Sequence, residues 1–278
     1  MQQVDDAIRV YRRIFDELEP AHEEAILALE RLYGQKQAWV ELNTVYERQL
    51  ENAMGDFEEA EIRAKMARLA SECLGNIDGA IATWKRVLDL RGEDAEALEA
   101  LANLFEGRGQ WAELCDLLER QFDIAEADEA RVAIRLRRAH VFLARLGRDE
   151  EAIDDYQRAL EIDFQNVFAL RAIANIWRNR KEPTELVQAL QSLVERASVV
   201  MDPVELKAVF RELGITYGMV LEQPYDAADA WNRLLEVDPG DFEALDALDA
   251  IYRQDERLTD VIDVKMRRAG ALDRKSVV

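Results

Sequence analysis

The sequence predicts an all-α, right-handed solenoid made of seven helical hairpins and one leading helix. Three observations predict it. Apolar residues recur at helical spacing along the whole chain, as in Ala152, Tyr156, Ala159 and in Leu98, Leu101, Phe105. Blocks of similar sequence return every 72–75 residues. Ala, Leu, Glu and Arg dominate, while 12 Gly and 5 Pro in 278 residues are too few for the turns of a large β-sandwich or barrel.

The repeat is read most easily from its second helices. Ala7-Ile8-Arg9-Val10-Tyr11, Ala80-Ile81-Ala82-Thr83-Trp84, Ala152-Ile153-Asp154-Asp155-Tyr156 and Ala227-Ala228-Asp229-Ala230-Trp231 stand 73, 72 and 75 residues apart. A second block runs in phase with them. Leu29 and Tyr33 precede Trp39-Val40-Glu41-Leu42, and Leu98 to Phe105 precede Trp111-Ala112-Glu113-Leu114. Ile173 and Trp177 precede Pro183-Thr184-Glu185-Leu186, and Leu248 and Tyr252 precede Leu258-Thr259-Asp260-Val261. Each unit of about 73 residues therefore holds two related helix pairs.

Taken in order, the first unit (4–76) holds helices over 4–18, 21–33, 37–54 and 57–74, the last stopped by Gly75. The second (77–148) holds 77–90, 94–107, 109–126 and 128–146, with Gly107-Arg108-Gly109 as a C-cap and Gly147 as the final stop. The third (149–224) holds 149–162, 165–179, 182–199 and 202–221. Its last helix opens on Asp202-Pro203-Val204-Glu205, an N-cap, a first-turn proline and a capping-box acid. The fourth (225–271) holds 225–237, 241–254 and 257–271, and Asp238-Pro239-Gly240-Asp241 ends one helix and caps the next. Weak periodicity leaves 272–278 as a frayed tail of the single solenoid. The helix over 4–18 lacks a preceding partner, so either self-association covers it or the chain belongs to a longer array.

These residues resemble the tetratricopeptide repeat, a helix–turn–helix of about 34 residues. The resemblance is carried by Leu136, Ala139, Leu143, Gly147, Ala152, Tyr156, Ala159 and Asp163, and by Trp231, Leu234, Glu236 and Asp238-Pro239. It covers nearly the whole chain. Two plain repeats would span about 68 residues, so the surplus, around Asn52–Phe57, Asp123–Ala130 and Ala197–Pro203, implies longer helices in every second repeat. The other hairpins depart from the family pattern and carry Trp39 or Trp111 ahead of their second helix. The stripe aromatics Tyr156 and Trp231 are expected in the core opposite small residues such as Ala152.

Composition narrows the function. With 57 Asp+Glu against 36 Lys+Arg, the net charge is −21, a field that repels nucleic-acid phosphates and anionic lipid. No stretch is long and apolar enough to span a membrane, and the N-terminus has no signal-peptide pattern, so the expected compartment is the cytoplasm. Phosphate-cradling glycine loops are absent from the sequence, and His22 and His140 are isolated. Cys73 and Cys115 read as small buried residues, and no metal or cofactor is expected. Carboxylate pairs such as Glu23-Glu24, Glu58-Glu59 and Asp154-Asp155 read as solvated faces.

The resemblance implies a non-enzymatic scaffold that binds a peptide or partner helix in its concave groove. A rigid spacer in a longer protein is the next alternative, and an unrecognised enzyme the last. The resemblance implies that the first helix of each hairpin lines the concave side, and helical register then puts Lys65, Glu99, Asn103, Arg137, Phe168, Arg171, Asn175, Arg178, Glu212 and Met219 along that groove. Their neighbours in the same stripes are Ile62, Leu69, Val141, Val209 and Thr216. Phe168 and Met219 would be apolar anchors, and Asn103 and Asn175 occupy equivalent positions. Arg171 with Asn175 is similar to the basic-plus-asparagine pair with which some family members clamp a peptide's terminal carboxylate. Against it stand simple ion pairing of Arg137, Arg171 and Arg178, and an acidic groove at Glu96, Glu99 and Glu106 that attracts a basic partner.

Overall fold

A computed structural model describes residues 2–18 and 22–276, and among these it contains fifteen helices and no strand. In the first compact unit, Met1–Ala130, lie α1 (Gln2–Arg13, continued by a π-helical turn Ile14–Leu18), α2 (Glu23–Lys36), α3 (Trp39–Glu51), α4 (Asp56–Glu72), α5 (Ile77–Arg91), α6 (Ala95–Arg108) and α7 (Trp111–Ile124). The second, Arg131–Val278, takes up α8 (Asp128–Val141, continued by Phe142–Leu146) after its first turn, then α9 (Asp149–Ile162), α10 (Val167–Arg180) and α11 (Pro183–Ala197). It closes with α12 (Pro203–Ile215, continued by Thr216–Val220), α13 (Pro224–Val237), α14 (Phe242–Gln254) and α15 (Leu258–Ser276). Within each unit consecutive helices pack on one another, α9 being met by the Phe142–Leu146 turn that continues α8, and the short connections make neighbours antiparallel.

The hairpin turns repeat as the sequence does. Gln37, Gly109, Lys181 and Glu256 follow α2, α6, α10 and α14, each with φ between 53° and 69°. The next amide in each case returns to the helix: Ala38 to Tyr33, Gln110 to Phe105, Glu182 to Trp177 and Arg257 to Tyr252, at 2.9–3.2 Å. Gly75, Gly147 and Glu222 do the same after α4, α8 and α12, with a return one residue wider: Asn76 to Ala70, Arg148 to Phe142 and Gln223 to Tyr217, at 2.8–2.9 Å. These three are the longer first helices that the 73-residue period requires, and α8 and α12 gain their length in a π-helical turn.

A second contact recurs in phase. The first turn of α1, α5, α9 and α13 meets the end of the next helix through Asp5–Lys36, Asp78–Arg108, Glu150–Arg180 and Tyr225–Asp255. A left-handed conformation costs a non-glycine residue about 1 kcal/mol. Lys181→Gly should therefore stabilise the protein by about that amount and Gly109→Ala should do the opposite. Thermal unfolding of the two variants checks both signs.

The core follows the predicted stripes. Trp84 and Tyr156 are 1 % exposed and Trp231 4 %. Asp202 caps α12 by accepting from the amides of Val204 and Glu205, and Asp241 caps α14 by accepting from Ala244. Several expectations need correction. Glu205 does not serve as a capping-box acid, because Arg171 takes its carboxylate. Cys73 is exposed at the end of α4, and only Cys115 is buried. Helix α15 continues through Ser276, past the expected start of fraying, and buries Ala271; residues 277–278 lie outside the described residues.

The largest correction concerns Asp154-Asp155. Asp154 pairs with Arg158 on the surface, but Asp155 is fully buried. Arg135 donates to Asp155 at 3.1 Å, and the Arg138 guanidinium lies 2.8 Å from its other oxygen. Burial pushes the Asp155 carboxyl up from its ordinary range, and the two guanidiniums oppose that shift. Helical periodicity places the carboxylate beside Tyr156 without showing that α8 brings two arginines to the same face.

Candidate functional site

The first helices of the hairpins carry the candidate residues, and in the second unit α10 and α12 bring several of them together. On α10, Arg171, Asn175 and Arg178 fall at i, i+4 and i+7, on one face. On α12, Glu205 and Glu212 are also seven apart. Arg178 donates to both carboxylate oxygens of Glu212 at 2.6 Å, and Arg171 makes the same two-pronged pair with Glu205, its Nε at 2.5 Å. Both pairs span 34 positions, one hairpin, so they fix α10 and α12 in register. The bond to Glu212 holds the Arg178 guanidinium above its ordinary range. Arg178 also donates to the side-chain oxygen of Asn175.

Between these pairs lies an open groove of about 240 Å³. Its floor is Leu190, Leu193, Ala174 and Val209, and its walls are the two Arg–Glu pairs, Asn175 and exposed Ala208. Phe168 stands one turn before Arg171, 55 % exposed, with its ring edge-on to Tyr156 at 6.2 Å between centroids. Met219, 81 % exposed, stands seven residues beyond Glu212 in the π-helical turn. Along α12 and that turn, the face from Glu205 to Met219 runs about 21 Å at about 1.5 Å per residue.

The remaining candidates lie elsewhere. Lys65 on α4 pairs with Glu30 at 2.8 Å and sits over the Tyr46 ring. Glu99 on α6 accepts from Gln121 at 2.9 Å, and Glu96 is held by Arg68, so these two do not form a free acidic stripe. Asn103 is exposed on α6, and Arg137 is half-buried on α8. Ile62, Leu69, Val141, Val209 and Thr216 belong to the core rather than to an exposed stripe. The exposed row on α12 is Val204, Ala208, Ile215 and Met219, one residue out of register at two positions, because the hairpin packed beneath covers Val209 and Thr216.

The arginines of the expected carboxylate clamp are engaged within the chain. Arg171 and Arg178 already hold glutamates, and a ligand carboxylate would have to displace Glu205 or Glu212. Helical register alone does not bring Glu205, Leu190, Leu193 or Ala208 to this face. The Arg–Glu spacing of 34, occurring twice, is the sequence signal that points to the glutamates.

A family model described as tetratricopeptide repeat matches residues 97–132, which cover α6, α7 and the start of α8. Over these residues the chain is similar to the tetratricopeptide repeat. The match falls on the hairpin with Trp111, whose residues depart from the plain family pattern, rather than on the hairpins around Tyr156 or Trp231. No curated protein matches the chain. Among solved structures, YrrB, titled a TPR protein with an unusual peptide-binding site, is 20 % identical with a TM-score of 0.40, over 73 % of this chain and 96 % of that one. The C-terminal part of a TPR repeat-containing protein from Cytophaga hutchinsonii is 13 % identical with a TM-score of 0.48, over 88 % and 95 %. A TPR repeats protein from Bacteroides fragilis is 8 % identical with a TM-score of 0.49, over 70 % and 98 %. Tetratricopeptide-repeat proteins are typically non-enzymatic, and the repeat points to protein–protein interaction as the general role. None of the described helices is long and apolar enough to cross a membrane.

Proposed function

We propose that the chain binds a peptide or partner helix along α10 and α12, with the groove between Arg171–Glu205 and Arg178–Glu212 at the centre. The observation that carries this reading is the groove itself, open and apolar-floored, with the charges of its walls already matched to each other. A paired wall offers little net charge, so recognition rests on apolar anchoring and on backbone hydrogen bonds. Ala208, Ile215, Met219 and Phe168 supply exposed apolar surface. The Asn175 oxygen is taken by Arg178, which turns its amide nitrogen into the donor for a ligand carbonyl.

The test is photo-crosslinking from position 219 in cell lysate, with the captured segment identified by mass spectrometry. Ala208→Trp fills the groove at an exposed site and should reduce capture at least tenfold, whereas Val40→Asp, an exposed change on α3, should leave it intact. Binding through a charge-matched groove should persist when salt is raised from about 0.1 M to 1 M. Undiminished capture by Ala208→Trp would overturn the groove. Loss of capture in high salt would favour the acidic-face alternative.

A further inference from the structure

A second pocket, of about 270 Å³, lies between α9, α10 and α11. It uses α9 instead of α12 and shares no lining residue with the groove. Gln157 of α9, Trp177 of α10, and Glu185, Ala189, Ser192 and Arg196 of α11 surround it, over a floor of leucine and isoleucine. The repeat supplies an internal comparison. Seventy-two residues earlier, the positions of Gln157, Trp177, Glu185 and Ala189 are held by Lys85, Phe105, Glu113 and Leu117. There the Lys85 ammonium lies over the Phe105 ring, 5.5 Å from its centroid. In the second unit the lysine has become a shorter, uncharged glutamine, and the leucine has become alanine. The aromatic ring has become tryptophan, the strongest cation–π acceptor among the side chains. The pocket keeps the ring and the carboxylate, has lost the lysine and the leucine beside them, and carries Arg196 where the first unit has Ile124.

We propose that this pocket is a docking site for a lysine side chain of a protein partner. The alkyl stem would lie along Ala189 and the apolar floor, and the ammonium would sit over Trp177 within reach of Glu185. Two other cations stand nearby. Arg180 lies over the Trp177 ring at 4.8 Å without lining the pocket, and its charge is matched by Glu150. Arg196 stands on α11 eleven residues, about three turns, beyond Glu185, which puts the ammonium site at the Glu185 end. The net charge of −21 favours the approach of a lysine-bearing segment.

The test uses the full chain labelled with 15N, following the five tryptophan indole N–H signals and assigning Trp177 with Trp177→Phe. The probes are the capped pentapeptide Gly-Gly-Lys-Gly-Gly and its norleucine counterpart, which has the stem without the charge. The lysine peptide should shift the Trp177 signal with millimolar affinity, and Glu185→Gln should weaken that several-fold. Gln157→Lys refills the pocket as Lys85 does in the first unit, so it should abolish the shift while the other indole signals stay in place. An equal shift with the norleucine peptide would overturn the proposal in favour of a purely apolar pocket. No shift up to about 20 mM, a range that covers the weakest specific contacts, would overturn it outright. An undiminished shift in Gln157→Lys would also overturn it.

Discussion

Replacing Asp155 with alanine is expected to destabilise the second unit by about 3–5 kcal/mol, the usual cost of leaving buried charge without its partner. Asp155 is fully buried, Arg135 is 3 % exposed, and both guanidiniums are brought against the carboxylate by the packing of α8 on α9. Removing the carboxylate takes the Asp155 counter-charge away from both guanidiniums. The triad is not what the fold needs at this place, because the α12–α13 hairpin does without it. Seventy-five residues on, the equivalents of Arg135, Arg138 and Asp155 are Phe210, Leu213 and Ala230, all buried. The triple change Arg135→Phe, Arg138→Leu and Asp155→Ala should therefore fall within about 1 kcal/mol of the native protein or exceed it. Urea unfolding of the single and triple variants measures both. A triple variant as unstable as the single one would show that the charges hold this hairpin together by more than their mutual pairing.

Trp231→Ala is expected to cost about 3–5 kcal/mol, the range for truncating a buried aromatic. Its partner is Gly214 on α12, where a Cβ would come within 2.5 Å of the indole ring. Gly214→Ala alone should therefore be destabilising, by about 1–3 kcal/mol, through overpacking. The sister hairpins show the alternative solution, since Ala67 stands opposite the Trp84 helix and Ala139 opposite the Tyr156 helix at equivalent positions. In the double variant the methyl enters space vacated by the indole, so the two costs should fail to add by at least about 0.5 kcal/mol. Strict additivity would mean that Gly214 is set by the backbone of α12 and not by Trp231.

Much of the fold is legible in the amino-acid sequence. Gly75, Gly109 and Gly147 mark hairpin turns, and Asp202 and Asp241 mark caps, because local backbone chemistry is written in local sequence. Tyr156 and Trp231 are legible as core because a helical stripe needs only its own spacing to declare itself. The turns at Gln37, Lys181 and Glu256 carry no such mark, since a stacked hairpin can hold a non-glycine residue in the left-handed region and leave no signature.

The candidate site divides along the same line. The sequence by itself determined that α10 presents Arg171, Asn175 and Arg178 on one face, because 3.6 residues per turn is a property of the chain alone. Only the tertiary structure decided what those arginines meet. Glu205 and Glu212 lie a whole hairpin away, and the angle at which hairpins stack brings them within hydrogen-bonding distance. The same stacking buried Asp155 between two arginines, covered Val209 and Thr216, and left Trp177 facing an open pocket. Periodicity sets which residues share a face. Which faces are covered, and by what charge, depends on contacts between residues about 20 to 35 positions apart, and those are fixed by packing.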